Sequence, residues 1–98
     1  MPTYVFTYRS PTDSAPADGN QVEAWQKWFK SMGASVESIG NPVFERTTVG
    51  QTGAGTELGG FSFINADDLK AAAELARGCP VLGSGGGVEI GVLADVPS

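Results

Sequence analysis

The sequence contains no histidine and a single cysteine, Cys79. The missing histidine removes the commonest metal ligand and the commonest general base together. One cysteine permits no internal disulfide and no thiolate metal cluster, and it fits a reducing cytoplasm. Lysine and arginine number only six against eleven acids, a net charge of −5. So few cations, scattered along the chain, build no basic patch, so nucleic acid is not an expected partner. An anionic membrane surface would repel the chain as well. No apolar run reaches the ~18 residues of a membrane span. The N-terminus has no charged segment leading into an apolar one, so no signal peptide is expected. No three carboxylates or thiols have metal-ligand spacing, and no metal is expected.

What is present describes one domain of 98 residues. A chain of this size buries roughly 60–65% of its unfolded surface, so its core is small. Hydrophobic residues make up 41% and charged ones 17%, which gives a globular protein with a rather neutral surface.

Thr3 to Arg9 alternates, with Tyr4, Phe6 and Tyr8 on one side and Thr3, Val5 and Thr7 on the other. Its aromatic and β-branched content predicts a strand. Gln21 to Gly33 predicts a helix, with Val22, Trp25, Phe29 and Met32 as its apolar stripe and Trp28 on the margin. Asp18 or Asn20 is the expected cap. Gly40-Asn41-Pro42 reads as a turn. The β-branched Glu45 to Gln51 reads as the second strand, and Thr52 to Glu57 as its connection to a third, Leu58 to Asn65. There Phe61 and Phe63 oppose Ser62 and Ile64. Asp67 to Arg77 predicts a second helix, capped by Asn65 or Asp67, with Leu69, Ala72, Ala73 and Ala76 buried. Gly78 ends it and Pro80 prevents its continuation. A glycine-rich loop, Gly83 to Gly87, leads to a last strand, Val88 to Leu93.

The predicted order is β-α-β-β-α-β, an α+β, ferredoxin-like arrangement: a four-stranded antiparallel sheet with two helices on one face. The other face would then expose apolar side chains, which calls for a partner. A homodimer that stacks the two sheets is the expected solution.

The segment GGFSFINADDLKAAAELARGCPVLGSGGGVEIGVL resembles the C-terminal part of the YCII-related (DGPF-type) proteins. The shared pattern is a Gly-Gly-aromatic strand, an acidic cap, an alanine-rich helix ending in Ala-x-Gly-Cys-Pro, a glycine turn, and a strand with Val-Glu-hydrophobic. AWQKWFKSMGA followed by GNP resembles the Trp-x-x-Trp-Phe segment of one branch. The resemblance spans nearly the whole chain. It implies a dimeric α/β barrel with a pocket between helix and sheet. The His-Asp pair of related enzymes has no counterpart here, because there is no histidine.

Each candidate site residue also has a plain structural reading. Trp25, Trp28 and Phe29 either wall a pocket for an apolar or aromatic molecule or are core. Trp25 is expected to be its buried floor and Trp28 its mouth. Asn41 either orients a ligand carbonyl or serves the turn. Glu89 is the one weak catalytic candidate, as a buried general base; otherwise it is an ordinary strand residue. Cys79, after a helix C-terminus and without a histidine, reads as structural. Pro2 as a catalytic N-terminal amine is a remote reading. Gly53-Ala54-Gly55 lacks the third glycine of a dinucleotide fingerprint, and there is no P-loop, so no cofactor is expected. Three functions stay open: a small-molecule binder, an isomerase- or dehydrohalogenase-type enzyme with an acidic proton carrier, and a non-catalytic interaction module.

Overall fold

The computed structural model describes residues 1–12, 19–53 and 55–96. The elements are β1 (Thr3–Pro11), α1 (Gly19–Met32), a 3-10 turn at Gly33–Ser35, β2 (Val36–Pro42), β3 (Thr56–Asn65), α2 (Leu69–Ala76), a 3-10 turn at Pro80–Ser84, and β4 (Gly87–Val92). The four strands form one sheet in the order β2-β3-β1-β4, and every neighbouring pair is antiparallel. The fold is α+β.

β1 runs through the middle of the sheet. Its alternation works as the sequence predicts: Tyr4, Phe6 and Tyr8 are buried. They share a core with Ser62 and Ile64 of β3, Trp28 and Met32 of α1, and Ala72 and Ala76 of α2. Trp28 stacks on Phe6 with ring centroids 6.3 Å apart. The small alanines let α2 approach closely, and Val81 of the second 3-10 turn closes the end of the core. The opposite sheet face presents half-buried Val5, Thr7, Phe61 and Phe63. Val5 pairs with Phe63 and Thr7 with Phe61, and the two phenylalanine rings lie 5.8 Å apart.

Several expected boundaries are corrected. The second strand is not Glu45 to Gln51 but Val36–Pro42. The segment Gly40-Asn41-Pro42 lies inside it rather than in a turn, and Asn41 pairs with Phe61. The β-branched Thr47, Thr48 and Val49 are exposed in the connection to β3. Two arginines brace this connection. Arg46 pairs with Glu57 at 2.9 Å and donates to the Val43 carbonyl. Arg9 donates to the Thr52 and Thr56 carbonyls.

The cap of α2 is Asp68, not Asn65 or Asp67. Its carboxylate accepts from the Ala71 amide at 2.7 Å. Asn65 is still in β3, where its side chain accepts from the Thr3 hydroxyl. Leu69 is exposed, because the helix starts one residue after the cap and turns that position outward. Asp68→Ala is expected to lower stability by about 0.5–2 kcal/mol. Urea unfolding checks this; an unchanged midpoint would deny the cap its role. At α1, Asn20 is a member of the helix rather than its cap, and Asp18 lies outside the described residues.

Candidate functional site

α1 buries its two ends unequally. Val22 is 52% exposed, Trp25 and Phe29 are half-buried, and Trp28 and Met32 are buried. The C-terminal half of the helix therefore sits on the core. Its N-terminal half borders a cleft of about 830 Å³ against β2 and β3. That volume lies within the ~300–1,000 Å³ usual for small-molecule sites.

On the helix side, the walls are Val22, Trp25 and Phe29; on the sheet side, they are Tyr8, Gly60 and Ile39, with Phe44 beyond them. Gly60 lets β2 come close beside the cleft. It follows the inward alternation of Ile64 and Ser62 along β3, but it carries no side chain. Pro42 and the Asn41 carbonyl pass so near that an added Cβ would lie 3.0 Å from that oxygen. Glycine inside a strand commonly marks such a close backbone approach.

The aromatic walls hold one another. Trp25 meets Tyr8 edge-on at 4.7 Å and lies 6.0 Å from Phe29. The Tyr8 hydroxyl donates to Ser62 Oγ at 2.8 Å, and Ser62 Oγ donates to the Ile39 carbonyl at 2.7 Å. This chain satisfies buried polar groups and ties β1 to both β3 and β2. Burial raises the Tyr8 pKa well above the usual phenol range, although the Ser62 bond works against it. Tyr8 therefore stays neutral at any physiological pH, and as a proton carrier it is poorly matched to neutral conditions.

The sequence-predicted site residues are only partly brought together. Trp25, Phe29 and Asn41 line the cleft. Trp28 does not, and the expected roles of the two tryptophans are exchanged. Trp28 is 6% exposed, and its indole N–H donates to the Leu75 carbonyl of α2 at 3.0 Å. Gly78 makes room for that ring, since a Cβ there would lie 3.1 Å from it. The periodic stripe identifies a helix face, but it does not say which end of that face meets the core.

Glu89 is exposed on β4, opposite Thr7 on the sheet face away from Trp28. It does not line the cleft. Val88 and Ile90 beside it turn toward the core. It is therefore not a buried base. Cys79 is buried, and burial pushes its thiol up to about 11. This is the reverse of an activated nucleophile. Pro2 lends its carbonyl to the Ala66 amide. Among the described residues, no three metal-ligating side chains come together, and no helix is long and apolar enough to cross a membrane.

Sequence reasoning missed Tyr8, Ile39 and Gly60 as cleft residues. Gly60 carried a readable signal: a glycine inside a strand marks a close backbone approach. Ile39 and Phe44 carried none, since their place depends on where β2 pairs. No family model matches the chain, and neither a curated protein nor a solved structure matches it.

Proposed function

We propose that the protein binds a small apolar or aromatic molecule in the cleft between α1 and the β2–β3 side of the sheet. The observation that carries this reading is the cleft itself: about 830 Å³, walled largely by aromatic and aliphatic side chains. Binding without turnover is favoured over the enzyme reading. Tyr8 is the only lining side chain with a titratable proton among the described residues, and burial holds that proton.

The test uses 1-aminoanthracene, a neutral fluorophore that brightens in apolar surroundings. Saturable enhancement is expected with the intact protein. Val22→Trp, at an exposed position on the wall, is expected to weaken it at least about tenfold while the fold is kept. No saturable enhancement, or enhancement indifferent to Val22→Trp, would overturn the reading in favour of an interaction module.

The same reading includes a ferredoxin-like fold of the YCII-related kind, a homodimer and a cytoplasmic site of action. The strand order and the resemblance of Gly59 to Glu89 support the first. The half-buried Val5, Phe61 and Phe63 on the outer sheet face support the second, a second copy being their cover. The single buried thiol supports the third. Sedimentation at micromolar concentration is expected to give a dimer, and Phe63→Lys a folded monomer. A wild-type monomer throughout would remove the dimer from the reading.

A further inference from the structure

This inference rests on the ligand-binding reading and specifies the charge of the ligand. The chain has six cationic side chains, all within the described residues, and none of them lines the cleft. Arg9 is spent on the Thr52–Thr56 backbone, Arg46 on Glu57 and Val43, and Arg77 on Glu74. Lys27, Lys30 and Lys70 are exposed elsewhere. Nor does any carboxylate line the cleft among the described residues. The polar atoms that do reach it belong to amides and hydroxyls, among them Asn41, Gln26 and Ser10.

A charge moved from water into an apolar site without a partner costs several kcal/mol. An anion would find no counter-charge in this cleft, and the net charge of −5 would repel it on approach. A cation would gain from that field and from the aromatic rings. It would still lose its water without finding a carboxylate among the described lining residues. A neutral ring system meets neither penalty. Its flat face suits the indole of Trp25, and a hydroxyl or carbonyl on it suits the Asn41 amide at the rim.

We infer that the cleft selects uncharged aromatic molecules that carry a hydroxyl or carbonyl group, and rejects carboxylate and ammonium analogues of the same size. The discriminating device is the absence of charged side chains from the walls among the described residues.

Three probes of one ring system separate the possibilities by calorimetry at physiological salt: 2-naphthol, 2-naphthoate and 2-naphthylmethylammonium. The neutral probe is expected to bind at least about tenfold more tightly than either ion. A smaller preference, or tighter binding of an ion, overturns the inference. Val22→Lys supplies the missing cation at an exposed wall position. It is expected to raise the ratio of naphthoate to naphthol affinity at least about tenfold. An unchanged ratio would mean that wall charge does not govern selection. If 1-aminoanthracene saturates the cleft but none of the three naphthalenes competes, this inference fails and the binding reading stands. If 1-aminoanthracene also fails to bind, the binding reading itself has failed.

Discussion

Trp28→Ala is expected to remove a large share of the fold's stability. The indole touches Phe6, Tyr8, Trp25 and Phe29, with centroid separations of 5.0 to 6.3 Å. Removing it opens a cavity at the junction of α1, α2 and β1. Large-to-small aromatic changes in a core cost about 3–5 kcal/mol. A domain of this size holds only about 5–15 kcal/mol in total. The hydrogen bond to Leu75 is also lost, but that carbonyl still receives the Gly78 amide, so it is not orphaned. Most of the penalty is therefore packing, and Trp28→Phe should recover more than half of it. Trp25→Ala, at a half-buried wall, is expected to cost about 1–3 kcal/mol and to abolish ligand binding. Urea unfolding followed by circular dichroism ranks the variants. If Trp25→Ala proves the costlier change, the assignment of core to Trp28 and cleft to Trp25 is wrong.

Gly40→Ala should detach β2 from the sheet. Gly40 has φ +69°, and a Cβ there would overlap the Phe61 carbonyl oxygen. That contact is with backbone, so no rotamer relieves it. The β2–β3 register shifts between Val36 and Ser38 and again between Ser38 and Asn41, the interval that holds Gly40. Gly40 lets the irregular strand press against its partner. The expected loss is about 3 kcal/mol or more, the left-handed backbone and the overlap acting together. Gly50→Ala is the control. It has φ +80° but open space around it, so only the backbone cost of about 1–2 kcal/mol applies. Because β2 forms one side of the cleft, Gly40→Ala should also abolish 1-aminoanthracene binding, whereas Gly50→Ala should not. Equal effects of the two substitutions would show that the close approach to Phe61 contributes nothing.

The strands that alternate cleanly could be read from the residues. β1 and β3 each bury one face, and their inward and outward sets follow directly from Tyr4, Phe6 and Tyr8, and from Ser62 and Ile64. β2 was hidden for a physical reason. Strand propensity reflects a side chain's fit to a half-buried pleat. Thr47, Thr48 and Val49 have that propensity but no sheet to meet. Val36–Pro42 contains Gly40 and ends in Pro42, yet it pairs, because β3 offers an open edge and Gly40 tolerates the approach. A proline is admissible there because β2 is an edge strand. The cleft was half legible. The aromatic residues on α1 pointed to Trp25 and Phe29, but the order of burial along the helix comes from tertiary packing. That packing places Trp28 over Phe6.

The central position of β1 also constrains the time course of synthesis. Its two neighbours are β3 and β4, and the Thr7 hydroxyl reaches the Glu89 carbonyl across 82 positions of sequence. A nascent chain therefore exposes Tyr4, Phe6 and Tyr8 well before any strand exists to pair with them. Only the β2–β3 hairpin can form early from residues close together in the chain. The sheet is completed only once Gly87–Val92 can reach β1, so assembly is dominated by distant pairings, which slow folding. Until then the apolar face of β1 has no strand beside it to complete the sheet.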